Sequence, residues 1–359
     1  MRIFGASRVA VRLRVFKLTA PYLHVHSREI DLPSKVVVKR GIMGELGEYI
    51  HSLGYENPLY IVNAYTKEHF MPEGVSFFDA VEASLSCADA ALSSTNGHDV
   101  VVGLGGGKNI DIAKYAGWKA GLPVISVPTI PSHDGIASPM ISLSGRERPY
   151  SYYSRPPHYV LIDPEVLANS PKQYILSGYG DVIGKYTSVY DWWLAHVDTG
   201  EYFGSYSAAL AKLSFKHVVR FRKAIAGRTY DGINVLLEAL VTNGIVMGIQ
   251  HSSRPASGSE HLISHAIDHV LGRKGLHGLQ VGLATIVAAY LQGRDWERIR
   301  RYLEDVGAPT TADALGIPAD VMVRAVVVAR TLRDRYTVLH KLEVDEILAK
   351  KALEATEVV

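Results

Sequence analysis

Apolar residues fall along this chain in two regimes. From residue 35 to residue 162, short unbroken apolar runs recur at Lys35 to Lys39, Leu59 to Val62, Val100 to Leu104, Val124 to Val127 and Tyr159 to Ile162. Stretches with helical spacing lie between them, such as Met43 to Leu53, Val81 to Leu92 and Ile110 to Ala120. Runs of that kind predict strands buried on both faces of a mainly parallel sheet, and their alternation with helices predicts a doubly wound, Rossmann-like α/β domain. Between Ile130 and Pro157 the pattern gives way to Ser, Pro, Gly, Arg and Tyr. There, Ala137 to Leu143 and Pro149 to Tyr153 are expected to form a hairpin over the sheet edge.

After Pro164 the strand signals stop. Helical spacing continues through Gly180 to His196, Tyr206 to Ala226, Tyr230 to Gln250, Glu260 to Leu271, Gly278 to Leu291 and Trp296 to Val306, with two more helices ending at Ala355. The expected organisation is therefore an α/β nucleotide-binding domain over residues 1–170 and an all-α metal- and substrate-binding domain over 171–359, with a ligand cleft between them. Ahead of the first domain, Val9 to Leu18 alternates apolar and basic residues as an edge strand would, and residues 1–17 read as an extension or an extra strand.

Composition narrows the class. With 47% hydrophobic and 21% charged residues the chain is globular, and a net charge of +2 gives no electrostatic footprint for nucleic acid. No apolar run approaches the length of about 20 residues that spans a bilayer. Cys87 is the sole cysteine, which points to a reducing cytoplasm and leaves metal binding to histidines and carboxylates.

The candidate chemistry sits in five places. Gly105, Gly106 and Gly107 separate a strand from a helix, where amide N–H groups and the helix dipole make a phosphate site. The segment SVPTIPSHDGIASP puts Thr129, Ser132, His133 and Asp134 at the carboxyl edge of the sheet, although Asp134 also suits a plain Asp-Gly turn. In GYGDVIGKYTSVYDWW, Asp181 follows glycines at an expected helix start, where it could be an N-cap or a metal ligand. His261, His265 and His269 recur every four residues on one helical face, and His277 stands between Leu276 and Gly278. Asp with two His would leave open positions on Zn²⁺, as a catalytic site requires. After the strand LYIV comes Asn63, not the carboxylate that bonds a ribose 2′-hydroxyl, and Lys67 follows it. A 2′-phosphate is then not repelled, so NADPH is expected to serve, with NADH also accepted. Lys185, one helical turn after Asp181, and Arg254 are the cations expected to meet a substrate phosphate.

In order, GGGKNIDIAK, VPTIPSHDGIASP, GDVIGKYTSVYDWWLA, SGSEHLISH and HGLQVG resemble the sn-glycerol-1-phosphate dehydrogenases, relatives of glycerol dehydrogenase and 3-dehydroquinate synthase. The resemblance implies a dehydroquinate synthase-like fold and a homo-oligomer. It also implies a zinc- and NAD(P)H-dependent reduction of dihydroxyacetone phosphate, the phosphorylated triose, for archaeal ether lipids. By this resemblance, Asp181, His261 and His277 would ligate zinc. Asn63, Gly105, Gly106, Gly107, Lys108, Asp111, Thr129, Ser132 and Ser138 would contact the cofactor. Asp134 and His265 would act at the substrate, with His265 also a rival for a ligand position. A polyol dehydrogenase for unphosphorylated substrates shares most of these features. So does 3-dehydroquinate synthase, which carries a glutamate where Asp181 stands.

Overall fold

The computed structural model describes residues 29–145 and 149–359. The strand expected at Val9 to Leu18 lies outside the described residues. In chain order the first part comprises β1 (Lys35–Val38), α1 (Leu46–Ser52), β2 (Pro58–Val62), α2 (Ala64–His69), β3 (Ser76–Asp79), α3 (Leu85–Ser93), β4 (Val100–Gly105), α4 (Gly107–Ala120), β5 (Val124–Pro128), β6 (Met140–Ser144), β7 (Pro149–Tyr153) and β8 (Tyr159–Ile162). Helices follow: α5 (Pro164–Ala168), α6 (Lys172–Ile183), α7 (Lys185–Thr199), α8 (Ser205–Arg220), α9 (Arg222–Ala226), α10 (Tyr230–Gln250), α11 (Ser259–Leu271), α12 (His277–Leu291), α13 (Trp296–Glu304), α14 (Ala319–Val328), α15 (Val338–Lys341) and α16 (Glu346–Ala355).

Six strands form one sheet in the order β1-β8-β5-β4-β2-β3, with every pairing parallel. The apolar runs are continuous because β4 and β5 have helices on both faces, and Val100, Val101, Val102, Ile125 and Val127 reach essentially no solvent. Strand β3, SFFD, escapes the sequence reading because it is a half-exposed edge strand with no apolar run. A second core joins α6, α10, α11, α12 and α14 to the inner end of the sheet through Val160, Ile162 and Ile136.

Four expectations need correction. The single helix foreseen from Gly180 to His196 is two, α6 and α7, which meet at Gly184; that residue keeps helical angles, and its missing side chain makes room for Val281. Asp181 therefore lies in the last turns of α6, not at a helix start, so it is no N-cap. The hairpin of β6 and β7 forms as a two-stranded antiparallel pair, but Ile141, Leu143 and Tyr152 pack into the cluster of α3 and α4 instead of covering the sheet edge. Finally, α10 is 21 residues long and apolar enough by length and composition to cross a membrane; most of it is buried inside the fold, as in a core helix.

Candidate active site

A cavity of about 1580 Å³ runs from the carboxyl ends of β4 and β5 to the first turns of α11 and α12. It is larger than the roughly 300–1,000 Å³ of an ordinary ligand pocket, which leaves room for a dinucleotide and a small second ligand end to end. At its sheet end, Gly105 closes β4 at φ +144°, a conformation that side chains resist, and its carbonyl accepts from the Thr129 N–H at 3.1 Å. Helix α4 starts just after, with Gly106 in the N-cap position and no side chain capping it. The Asn109 N–H turns back to the Gly106 carbonyl at 3.1 Å, which leaves the Gly107 and Lys108 amides of the first turn for a ligand, and the helix dipole favours an anion there.

The opposite end is built by two helices in backbone contact. A methyl group on Gly278 would overlap the Ser177 carbonyl, and one on Gly180 would overlap the Gly278 carbonyl, so α6 and α12 can cross this closely only with glycine at both positions. The crossing brings Asp181, near the end of α6, to His277, the first residue of α12, and α11 adds His261. One ligand atom from each of the three lies within 4.8 Å of the others.

Hydrogen bonds fix which nitrogen each histidine offers. His261 donates from Nδ1 to Glu260 Oε1 at 2.8 Å, and Glu260 Oε2 accepts from the Thr187 hydroxyl at 2.6 Å. Asp268 accepts from Gln280 Nε2 at 2.9 Å, which turns Gln280 Oε1 toward the Ser264 hydroxyl, also at 2.9 Å. With its proton spent on Gln280, the Ser264 hydroxyl accepts from His277 Nδ1 at 3.3 Å. Each Nδ1 is thus engaged by an outer partner and each Nε2 is turned toward Asp181 or the cavity, the arrangement of a metal ligand with its outer partner. Without metal, burial would lower the His261 imidazole, but hydrogen bonds to Asp181 and Glu260 outweigh it and raise the group above its usual range. His261 Nε2 faces Asp181 Oδ1 at 3.3 Å. A proton on Nε2 joins the two in the absence of metal, and a metal ion can take its place: 3.3 Å matches the edge of about 3.4 Å between donors on a tetrahedral Zn²⁺. The donor set and its geometry fit a divalent metal.

Charge is concentrated beneath this end. Lys185 reaches no solvent; its Nζ lies 2.9 Å from Asp134 Oδ2 and 3.1 Å from Asp181 Oδ1 and donates to the Ala256 carbonyl at 3.2 Å. The other Asp181 oxygen accepts from the Asp134 N–H at 2.9 Å. Burial alone would raise the Asp181 carboxyl, but Lys185 and His261 outweigh it and hold the group well below the usual carboxylate range. Burial, then the neighbouring His261, pushes His277 well below the usual imidazole range and keeps it neutral.

Two kinds of comparison bear on this arrangement. Residues 37–171 match the family described as iron-containing alcohol dehydrogenase. Glycerol-1-phosphate dehydrogenase [NAD(P)+] of Aeropyrum pernix is 43% identical over 350 residues, covering 92% of this chain and 99% of that protein. Its Metallosphaera sedula counterpart is 39% identical over 330 residues, 88% and 94% of the two chains. The chain belongs to the glycerol-1-phosphate dehydrogenase family. In fold, this family member superposes on a probable glycerol dehydrogenase from Sinorhizobium meliloti with TM-score 0.74 at 21% identity, covering 92% and 98% of the chains. Glycerol dehydrogenase from Schizosaccharomyces pombe gives 0.71 at 19%, covering 92% and 90%.

In this glycerol-1-phosphate dehydrogenase family member, Asn63, Gly106, Gly107, Lys108, Asp111, Thr129, Ser132, Asp134, Ser138, His261, His265 and His277 all border the cavity. Some are already engaged. Asn63 caps α2 through the Thr66 N–H at 3.0 Å, and Asp111 holds the buried Lys114 at 2.8 Å and the Ser142 N–H at 2.9 Å. Lys67 lies over the Phe77 ring, 3.7 Å from Asp79, and does not border the cavity.

The two cations expected at a substrate phosphate are likewise placed elsewhere. Lys185 is walled in by Asp134 and Asp181, and Arg254 is buried against Glu201, with its Nε 2.6 Å from Oε1. Neither borders the cavity, because each neutralises carboxylates behind it. Sequence reasoning missed the partners of the histidines and one further cation, Arg333. Glu260 stands beside His261, and Gln280 lies one turn after His277, so local spacing could have found both. Arg333 comes from the segment after α14, and nothing near it in the chain signals its position.

Proposed function

We propose that this chain is an NAD(P)H-dependent enzyme that reduces the C2 carbonyl of dihydroxyacetone phosphate to give sn-glycerol 1-phosphate, the backbone of archaeal ether lipids. The observation carrying this reading is the convergence of Asp181, His261 and His277 at one end of a cavity whose other end is an uncapped, glycine-lined helix N-terminus. Asp181, His261 and His277 would hold the metal, with Zn²⁺ fitting the donor set; when bound it supplies Lewis acidity at the substrate oxygen. Gly105 to Gly107 and the first turn of α4 would seat the pyrophosphate of the nicotinamide cofactor, which supplies the hydride.

The remaining groups orient the substrate. Asp134, held in place by Lys185 and facing the cavity, accepts a hydrogen bond from a substrate hydroxyl. His265 is kept neutral by burial and by Arg333, which donates to its Nε2 at 3.1 Å, and so presents polar contacts without adding charge. Asn63 in place of a carboxylate leaves a 2′-phosphate unopposed, which supports use of NADPH as well as NADH. A division of the chain near Ser170, a cytoplasmic location and a homo-oligomeric assembly belong to the same reading. α10 serves in it as a core helix.

The test is the rate of NADPH oxidation by zinc-loaded protein with dihydroxyacetone phosphate, set beside the same assay with unphosphorylated dihydroxyacetone. A preference of orders of magnitude for the phosphate is expected. Equal rates, or faster turnover of the bare ketone, would make the chain a polyol dehydrogenase.

A further inference from the structure

With Lys185 and Arg254 turned away, the positive charge that recognises a substrate phosphate must come from elsewhere. Among the described residues, four Lys or Arg side chains border the cavity: Lys108, Arg273, Lys274 and Arg333. Lys108 belongs to the glycine turn, where its Nζ donates to the Val81 carbonyl at 3.2 Å. Lys274 reaches the Ala83 carbonyl at 3.4 Å, on the same side, and Arg273 is exposed in the loop between α11 and α12. Only Arg333 meets the metal end.

Its position there is unusual for a guanidinium. Nη2 donates to His265 Nε2 at 3.1 Å, and the His265 ring stacks 5.6 Å from that of the candidate ligand His277. No described carboxylate pairs with Arg333, and burial alone pulls it down to about 10. Behind it, Arg335 donates to the Ser257 carbonyl and the Ser253 hydroxyl, both at 2.6 Å, and both serines border the cavity. Arg333 thus stands at the cavity wall with no described carboxylate paired to it, and Arg335, held on the two serines, stands behind it with no described ion pair of its own. A guanidinium has five N–H donors, and its fork matches two oxygens of a phosphate monoester.

We propose that Arg333, backed by Arg335, is the specificity determinant for a phosphorylated substrate, receiving the phosphate monoester of a three-carbon ketone whose carbonyl faces the metal end of the cavity. This inference rests on the function proposed above and names the residue that sets its substrate class. Arg333 holds the phosphate by a charge-assisted fork, and Arg335 fixes the serine-lined wall and adds to the local positive field. An unphosphorylated triose leaves the arginine without an anion, so discrimination against it comes from the same side chain.

The experiment measures kcat/KM for dihydroxyacetone phosphate and for dihydroxyacetone in wild type, Arg333→Met and Arg333→Lys, with Arg254→Met as the control arginine outside the cavity. Arg333→Met is expected to lower the ratio of the two values roughly 100-fold, chiefly through KM for the phosphorylated substrate. Arg333→Lys, which keeps the charge and loses the fork, is expected to recover part of that ratio, and Arg254→Met to retain it. As a readout apart from turnover, inorganic phosphate should raise the Tm of wild type and fail to raise that of Arg333→Met. A ratio within threefold of wild type in Arg333→Met, together with an undiminished phosphate shift, would overturn the assignment while leaving the proposed function intact. A wild type without preference for the phosphorylated ketone would instead overturn the function, and this inference with it. Should Arg333→Met fail to fold, Arg333→Lys decides: an unchanged ratio and phosphate shift refute the proposal.

Discussion

Replacing Lys185 by Met tests the electrostatics of the site directly. The substitution keeps most of the side-chain volume and removes one buried charge that lies 2.9 Å from Asp134 and 3.1 Å from Asp181. At an effective dielectric constant near 20, each of those pairs is worth roughly 5 kcal/mol of gross attraction. Desolvation offsets much of it, and losing one partner of a buried pair costs about 3–5 kcal/mol in practice. In the metal-free protein the variant should therefore lose about 4 kcal/mol. With an unfolding entropy of about 2.1 cal/mol/K per residue, a chain of this size should melt roughly 5 °C lower.

Zinc changes the answer, because a divalent cation among Asp181, His261 and His277 replaces the missing charge. In saturating zinc the loss should fall to roughly half, about 2 kcal/mol. By thermodynamic linkage the variant must then bind zinc more tightly than wild type by the difference, roughly 30-fold. The assay is differential scanning calorimetry of both proteins with chelator and with zinc, joined to a chelator competition for zinc affinity. Equal losses in the two conditions, or weaker zinc binding by the variant, would refute the view that Lys185 is the counter-charge of a metal site.

Three further outcomes are expected. Gly278→Ala forces a methyl group into the Ser177 carbonyl, so it should lower stability by more than about 3 kcal/mol and release zinc, read by Tm and metal content. Gly105→Ala puts a side chain at φ +144° and against Asn109, and should weaken NADPH at least tenfold in a fluorescence titration while leaving zinc bound. Burial, then Glu260, pushes the Asp191 carboxyl up to about 6, above its unfolded value of about 3.9, so the folded state holds the extra proton between those two values. The associated stability is present below about pH 4 and is lost as pH rises through 6. Asp191→Asn should therefore gain on wild type by about 3 kcal/mol between pH 4 and pH 7 in denaturant titrations, and a pH-independent difference would refute the shift.

Much of the fold could be read in the chain because its signals are local. The runs at Val100 and Val124 are continuous since those strands are covered on both faces, and Gly105 marks a turn only a glycine tolerates. What escaped was set by tertiary contact. Asp181 looked like the opening of a helix because GYG precedes it, yet Gly180 serves the crossing with α12, Gly178 lets the Pro131 carbonyl approach, and the helix has already begun at Lys172. Spacing correctly put Lys185 one turn from Asp181, but spacing carries no information on whether a cation faces a ligand or a buried carboxylate. Arg333 lies 68 positions after His265, and only the folded chain brings the two into hydrogen-bonding distance.

The meeting of α6 and α12 has a consequence for how the protein can tolerate heat and change. Where two helices touch main chain to main chain, no rotamer lies between them to slip or repack. Asp181 and His277 are therefore carried on a single stiff joint, and their separation is inherited from peptide geometry more than from side-chain choice. Thermal agitation that loosens ordinary cores has little purchase on such a joint. The selectivity of the cavity can drift through Arg333 and the serine wall while the joint keeps the donor pair in register.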